Sequence, residues 1–392
     1  MKILYIAAFN YPSHNAATKR INNIIKSILS KDVEVTILSA KSPSKIDEEI
    51  SIQGIEIKFL PNLFSNKSFY LKFINSLVHF FYIVFFLIQH RMFTHIILYS
   101  GYSVYALAVL FTRIFNKFSA IFDAVEWNDQ RYLGLKKLRS IDINFCMKNL
   151  LFYFDGIICI SQFLENYYRK GTNIKKLPKV INLPPLEDSS SKEKIFDLTD
   201  DSEIKIIYSG QIGENKDQLQ EFLQAFLLIK KLNLNFTFTI VGDNHKELVK
   251  IPEYNLLIDL FPECIKYLGL RTISESKSLI AESHFLAFFR RDNLISNAGF
   301  PTKFVESLGC STPVFTNYVG DITNYIINQN NSIAINILNS DEIFDALLFI
   351  SKMTNEQYRS MRKGAYLTGK QFHFKNFSAD IHNFLLKTND SN

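Results

Sequence analysis

The stretch 296–321, SNAGFPTKFVESLGCSTPVFTNYVGD, holds the residue types best suited to a charged ligand. Gly299, Phe300 and Pro301 read as a turn. A proline is tolerated at a helix start because its missing N–H would have had no partner there. A helix opening at Thr302 presents free N–H groups and partial positive charge, which suits phosphate. Lys303 falls in the first turn and adds a full charge, and Glu306 lies one turn later on the same face. That pair can hold a phosphate and two sugar hydroxyls of a nucleotide, or it can be a solvated Lys–Glu pair. Arg290 and Arg291 follow the apolar run Phe285–Phe289. In the first half, Asp123 and Glu126 lie just past the run Ser119–Phe122, where carboxylates can orient a hydroxyl ligand. Otherwise Asp123 caps a turn and Glu126 pairs with a basic neighbour. His14 and Asn15 lie in the loop after the first apolar run. Trp127, the sole tryptophan, can stack on a sugar face or simply pack.

Several chemistries are disfavoured by what is missing. The loop after the first apolar run, Phe9–Ala16, has no GxGxxG, which argues against a hydride-transferring dinucleotide enzyme. GxxxxGK[ST], HExxH and GxSxG do not occur. The four cysteines, Cys146, Cys159, Cys264 and Cys310, have no zinc-ligand spacing and fit free thiols in a reducing compartment. No metal site and no cofactor are expected.

The elements that would position these groups alternate. Apolar β-branched runs at Lys2–Ala7, Val33–Leu38, Ile55–Phe59, His95–Tyr99, Ser119–Phe122 and Gly156–Ile160 are separated by amphipathic segments, the pattern of a parallel sheet with helical crossovers. A polar, Ser-rich stretch at 187–203 interrupts it. The alternation then restarts at Ile204–Tyr208 and continues through Asp217–Lys231 (helix), Phe236–Val241, Ile265–Leu268, Phe285–Phe289, Pro313–Thr316 and Ser332–Ile335. The expected domains are 1–186, a linker at 187–203, 204–370, and a C-terminal helical segment at 371–392 packing toward the first domain. With 392 residues, two α/β domains are the natural division. Ligands belong at the C-terminal ends of the strands.

The charge is uneven. Residues 1–190 hold 23 Lys and Arg against 14 Asp and Glu, whereas residues 191–392 hold 21 against 24. The basic half suits an anionic membrane or a phosphorylated ligand, or is ordinary solvated surface. The segment Phe73–Gln89 lacks charge for 17 positions but is short for a span and contains Asn75, Ser76 and His79. It reads as a buried or interfacial helix. The N-terminus, MKILYIAAFNYPSH, reads as a first strand rather than a signal peptide.

The ordered set of motifs resembles retaining glycosyltransferases of the GT-B fold, most of all family 4, in its bacterial polysaccharide type. FPTKFVESLGCSTPVFTN follows that family's donor-binding pattern. Ile206–Gly210 with Lys216-Asp217, Phe238–Asp243, Gly156–Ser161, and Phe122–Trp127 match four further segments in the right order. The resemblance implies two Rossmann-like domains facing a central cleft. It also implies transfer of a sugar from a nucleotide-diphosphate donor to a hydroxyl of a glycan or lipid-linked glycan, as in surface polysaccharide assembly. Glu306 would bind the ribose hydroxyls. Lys303 and the backbone from Gly299 to Thr302 would lie near the diphosphate, Lys216 would stabilise the leaving group, and Ser209 and Gly210 would form the loop beside the phosphates. Two positions depart from the pattern. Ala298 stands where the family often has a first glutamate, with Asp292 and Asn297 nearby, and Gln211 stands where it often has arginine. Arg290 and Arg291 can supply that charge. Asp123 and Glu126 would orient acceptor or donor, with His14, Asn15 and Trp127 on the acceptor side. A nucleotide-sugar epimerase and a non-catalytic sugar-nucleotide-binding subunit remain as alternatives, and no nucleic-acid motif occurs. The expected place is the cytoplasm, with peripheral contact at the inner face of the membrane.

Overall fold

A computed structural model describes residues 1–29, 32–40, 52, 54–64, 69–99, 101–127, 135–171, 177–188, 203–212, 217–243 and 245–389. In chain order the first part comprises β1 (Lys2–Ala7), α1 (Ala16–Ile28), β2 (Glu34–Ser39), β3 (Glu56–Phe59), α2 (Phe69–Gln89), β4 (His95–Tyr99) and α3 (Ser103–Thr112). It continues with β5 (Ser119–Ala124), α4 (Leu135–Lys148), β6 (Gly156–Cys159), α5 (Gln162–Lys170) and β7 (Lys179–Asn182). The second part comprises β8 (Ile204–Ser209), α6 (Gln220–Lys231), β9 (Phe236–Val241), α7 (His245–Leu248), α8 (Pro252–Leu260), β10 (Ile265–Gly269) and α9 (Ile273–Ala281). There follow β11 (Phe285–Ala287), α10 (Leu294–Ala298), α11 (Thr302–Gly309), β12 (Val314–Asn317), β13 (Ser332–Ile335), α12 (Ser340–Ser351), α13 (Asn355–Gln371) and α14 (Ser378–Asn389).

Two compact units result. The first takes Met1–Leu186, Ala298–Phe300 and Phe374–Asn392, and the second takes Glu187–Asn297 and Pro301–His373. Of the stretch read as a linker, Glu187 begins the second unit, while residues 189–202 lie outside the described residues.

The first unit is a seven-stranded sheet in the order β3-β2-β1-β4-β5-β6-β7, with every pairing parallel. Strands covered on both faces read as near-continuous apolar runs, as KILYIA and HIILY do. Ile21, Ile24, Ile25 and Ile28 of α1 pack on this sheet beside Ile381, Phe384 and Leu385 of α14. His95 on β4 ties α14 down, its Nε2 lying 3.0 Å from the Leu385 carbonyl oxygen.

The second unit is a six-stranded parallel sheet in the order β10-β9-β8-β11-β12-β13. Its core is built from phenylalanine: Phe222 stands 4.6 Å from Phe238 and 6.0 Å from Phe289, and Phe289 stands 5.0 Å from Phe315 between ring centres. Each such side chain fully buried contributes about 1.5–3 kcal/mol.

Three elements escape the periodicity. The edge strand β7 is four half-buried residues. Helix α5 is short, with only Leu164 and Tyr168 buried. Helix α8 buries Tyr254 and Leu257 but leaves Leu256, Ile258 and Leu260 exposed, which blurs its stripe. The expected helix at Asp217–Lys231 begins three residues later, because Asp217 is engaged in a bridge to Arg290.

Candidate functional site

In the second sheet the chain runs outward from β8 through β9 to β10, then returns to the other side of β8 for β11 and continues outward. The order reverses between β8 and β11, and a crevice for ligands opens at the C-terminal ends of such a strand pair. Asp217 follows β8 and Arg290 follows β11, and a bridge between them spans this point. The Gln218 N–H donates to the Phe289 carbonyl at 2.8 Å. Asn317, at the end of β12, clamps the Arg290 backbone: it accepts from the Arg290 N–H at 2.9 Å and donates to the Arg290 carbonyl at 2.8 Å.

Asp217 is the hub. Arg290 donates from Nε to Oδ1 at 2.8 Å, and Lys303 donates from Nζ to Oδ2 at 2.5 Å. The Tyr208 hydroxyl donates to Oδ2 at 2.8 Å. The Asp217 side chain is 2% exposed, against 12% for Arg290 and 11% for Lys303. Burial alone would raise its carboxyl, but Lys303 and Arg290 outweigh burial and hold it well below the ordinary carboxylate range. Burial, and next the Asp217 charge, push the Tyr208 hydroxyl up, so it stays a donor. One carboxylate facing two cations leaves one surplus positive charge.

Glycines bring backbone up to this charge. Gly210 follows Ser209, the last residue of β8, at φ +154, and a Cβ there would run into Cε and Nζ of Lys303. Gly242, at the end of β9, has φ +151, and its Cβ would strike the Gly210 carbonyl. Only glycine adopts such a backbone without strain. The Lys303 ammonium also stands 5.0 Å from the Tyr208 ring centre. Helix α11 begins at Thr302 with Pro301 as its cap residue and no side-chain cap bond, and Lys303 sits in its first turn. Glu306 is half-buried one turn on.

The structure thus brings Gly210, Arg290 and Lys303 together. Ser209 is buried beside Gly210. Phe300 and Pro301 are buried and Gly299 and Thr302 half-buried ahead of α11. Arg291 is exposed, and Asn297 donates to the Asp292 carboxylate at 2.7 Å. Ala298, at the place of the family's glutamate, is wholly buried, and its carbonyl accepts from the Ser161 hydroxyl at 2.7 Å. Lys216 lies outside the described residues. Asp217 belongs to the Lys216-Asp217 motif match, but the sequence gives it no role of its own at the site.

In the first unit the strand order reverses between β1 and β4, and the loop with His14 and Asn15 follows β1. His14 is exposed. Asn15 caps α1: its Oδ1 accepts from the Thr18 N–H at 2.8 Å, and its Nδ2 donates to the Ser13 hydroxyl at 2.8 Å. Glu126 is exposed just past β5.

Two readings are corrected. Asp123 is not a ligand-facing group. It is wholly buried, receives Arg20 Nε at 2.9 and 3.1 Å and Arg20 Nη2 at 2.8 Å, and accepts from the Tyr5 hydroxyl at 2.7 Å. Arg20 also donates to the Leu183 carbonyl at 3.0 Å, so the ion pair ties α1 to β5 and to the segment just after β7. The signal for it is an arginine amid the isoleucines of α1. Trp127 is packed rather than offered as a platform. It is buried edge-to-face against Phe163 and Tyr167, with Lys148 5.4 Å from its ring centre. Among the described residues, no group of three or more His, Cys, Asp or Glu side chains is placed to hold a metal ion, and no helix is long and apolar enough to cross a membrane.

Residues 203–352 match the model of the family described as glycosyl transferases group 1. The second unit carries a group 1 glycosyltransferase domain. The whole chain has the GT-B fold of solved glycosyltransferases. It superposes on Anabaena Alr3699/HepE, solved in complex with UDP-glucose, with a TM-score of 0.71 at 15% identity, covering 99% of this chain and 100% of that one. The lipopolysaccharide outer core galactosyltransferase WaaB gives 0.67 at 13%, covering 99% of both chains. Sucrose-phosphate synthase from Thermosynechococcus elongatus gives 0.69 at 12%, covering 100% of both. Among curated protein sequences none matches. By family domain and fold the chain is a glycosyltransferase.

Proposed function

We propose that this glycosyltransferase moves a sugar from a nucleotide-diphosphate donor to a hydroxyl of a glycan or lipid-linked glycan, with retention at the anomeric carbon. The observation that carries the reading is the surplus positive charge of Arg290 and Lys303, fixed by Asp217 over two glycine turns at the switch point of the second sheet. Fixed charge aimed at developing charge is often the largest catalytic contribution. The bond from the anomeric carbon to the diphosphate oxygen breaks as the bond to the acceptor oxygen forms. The acceptor proton passes to an oxygen of the leaving diphosphate. Protein cations, rather than a metal, then neutralise that group. Lys303 and Arg290 meet the diphosphate, Glu306 the ribose hydroxyls, and Lys216 joins them. The UDP-glucose complex of the HepE structure supports a uridine-diphosphate donor, and the likeness to WaaB, a lipopolysaccharide outer core galactosyltransferase, supports a surface-glycan acceptor.

The test is a thermal-shift series with UDP-, GDP-, ADP- and dTDP-sugars, followed by NMR of the product's anomeric centre. One nucleotide class is expected to raise the melting temperature, since a ligand of the folded state stabilises it. Arg290→Ala is expected to remove most of that shift. Failure of every nucleotide to stabilise the chain would refute the reading, and an inverted product would refute retention.

A further inference from the structure

Parallel strands are joined by evenly spaced main-chain bonds, one rung at every second residue. Between β11 and β12 the Leu286 N–H donates to the Pro313 carbonyl at 3.1 Å, and the Phe288 N–H to the Phe315 carbonyl at 3.0 Å. Continued by two residues, the ladder would join the Arg290 N–H to the Asn317 carbonyl. The Asn317 side chain makes that rung instead. Its Oδ1 accepts from the Arg290 N–H at 2.9 Å, and its Nδ2 donates to the Arg290 carbonyl at 2.8 Å. The main chain of β12 meanwhile stays with β13, the Tyr318 N–H donating to the Ile335 carbonyl at 3.4 Å. The ladder between β11 and β12 thus ends one rung early, and a single side-chain amide stands in for the missing rung.

The residue type matters. An amide offers an acceptor and a donor at once, as a peptide group does, whereas a carboxylate has no donor and a hydroxyl has one proton. Asn317 is 4% exposed, so both bonds are shielded from water. On its other flank Arg290 is bridged to Asp217, and the Gln218 N–H donates to the Phe289 carbonyl at 2.8 Å. The Arg290 backbone is therefore held from both sides, while its guanidinium rests on Asp217 through Nε at 2.8 Å. Asn317 is also uncharged. It fixes the arginine without subtracting from the positive charge that Asp217 leaves over.

We propose that Asn317 is a positioning residue for sugar transfer. By holding the Arg290 backbone from the β12 side, it sets where the guanidinium meets the donor diphosphate. By being an amide rather than a carboxylate, it leaves that charge uncancelled. Groups that meet developing charge serve only when held within about 0.5 Å of the productive geometry, and the residues that hold them share in the function. Asn317 acts through Arg290 and does not itself touch the donor. The proposal rests on the reading of Arg290 as a diphosphate ligand, and the two can fail separately in the same experiment.

The full chain is titrated calorimetrically with UDP, GDP, ADP and dTDP, and the diphosphate that binds wild type most tightly is carried through a double-mutant cycle of Asn317→Ala and Arg290→Ala. The cycle is informative because Asn317 bonds only the backbone of residue 290, so the clamp survives in Arg290→Ala. Asn317→Ala is expected to weaken the diphosphate about tenfold in the wild-type background and less than about twofold in Arg290→Ala. A merely structural asparagine would cost the same in both. Should Asn317→Ala not fold, as its melting curve would show, Asn317→Ser is measured in the same two backgrounds. Asn317→Asp supplies the second readout. It keeps the volume and the acceptor for the Arg290 N–H, so a structural role makes it milder than Asn317→Ala. Here it is expected to bind the diphosphate more weakly than Asn317→Ala does, because it sets an oxygen against the Arg290 carbonyl and adds an opposing charge. Equal losses in the two backgrounds overturn the proposal, as does tighter binding by Asn317→Asp than by Asn317→Ala. If no diphosphate binds, or if Arg290→Ala binds it as wild type does, the diphosphate reading of Arg290 falls and takes the proposal with it. If Arg290→Ala weakens binding and Asn317→Ala does not, the proposal alone falls.

Discussion

Replacing Asp217 with asparagine removes one charge and keeps the shape. Arg290 and Lys303, 12% and 11% exposed, then face each other without a counterion. Both stand within 2.8 Å of the same carboxylate, so their charges lie about 5 Å apart, where an effective dielectric constant near 20 gives about 3 kcal/mol of repulsion. Removing one partner of a buried ion pair costs about 3–5 kcal/mol in measured cases. The introduced amide can still accept one hydrogen bond through its oxygen, which puts the expected loss toward the lower end, about 3 kcal/mol at neutral pH. The assay is urea denaturation of wild type, Asp217→Asn, Lys303→Gln and the double variant. The double variant is expected to lose less than the sum of the singles, with a coupling of about 1–3 kcal/mol. The same four proteins are then melted with the nucleoside diphosphate of the preferred donor. Its phosphates supply the missing anion, so Asp217→Asn is expected to gain more from the ligand than wild type does. A loss under about 1 kcal/mol would show that the triad is an exposed ion pair of little consequence. A large loss with no extra rescue by the diphosphate would show that the cations do not face the donor.

Three further outcomes follow from the same geometry. Asp123→Asn is expected to destabilise the first unit by about 3–5 kcal/mol while leaving the Michaelis constant for donor unchanged at temperatures where it stays folded, as steady-state kinetics would show. Gly242→Ala drives a Cβ into the Gly210 carbonyl and is expected to lower both melting temperature and donor affinity, the latter by displacing Gly210 from Lys303. For pH, burial lowers the pKa of both His79 and His95, although the Leu385 carbonyl partly offsets this at His95. The unfolded chain binds their protons first, so stability is full above about pH 6.5 and falls as pH drops from there through the lower folded values. His95→Asn should flatten a melting-temperature profile between about pH 7 and pH 5. Asp217, held low, contributes its stability fully above the ordinary aspartate range and begins to lose it only below about pH 4.

Strand-forming runs were legible because parallel strands buried on both faces become unbroken apolar strings; His95–Tyr99, Phe236–Val241 and Ser332–Ile335 match the structure residue for residue. Amphipathic helices were legible for the same reason at a period of about 3.6. What periodicity does not carry is pairing between distant side chains. Lys303 reads as a phosphate ligand from its place in α11, and Arg290 as a charge after a strand. That both converge on Asp217 depends on the sheet's order reversal, which no local pattern encodes. Asp123 shows the opposite failure. A carboxylate past a strand end looks like a site residue, and only the arginine buried 103 positions earlier turns it into core.

The two units build the same device from different stretches of chain, and the comparison explains why one serves ligand and the other does not. In each, a tyrosine on the first strand, Tyr5 on β1 or Tyr208 on β8, donates to a buried aspartate. In the first unit that aspartate meets a single arginine 4% exposed, and charge and hydrogen bonds close on themselves. In the second it meets two cations, each more than twice as exposed, beneath glycines that keep the backbone low. A one-to-one pair holds a fold together and offers nothing outward. A one-to-two cluster must find another anion, and a carboxylate that fixes both cations in place before the ligand arrives spares the ligand the ordering of two long side chains, each carrying about 2 kcal/mol of rotamer entropy. On this view the net negative charge of the second half of the chain is no obstacle to an anionic donor, because what the donor meets is the local surplus left by Asp217.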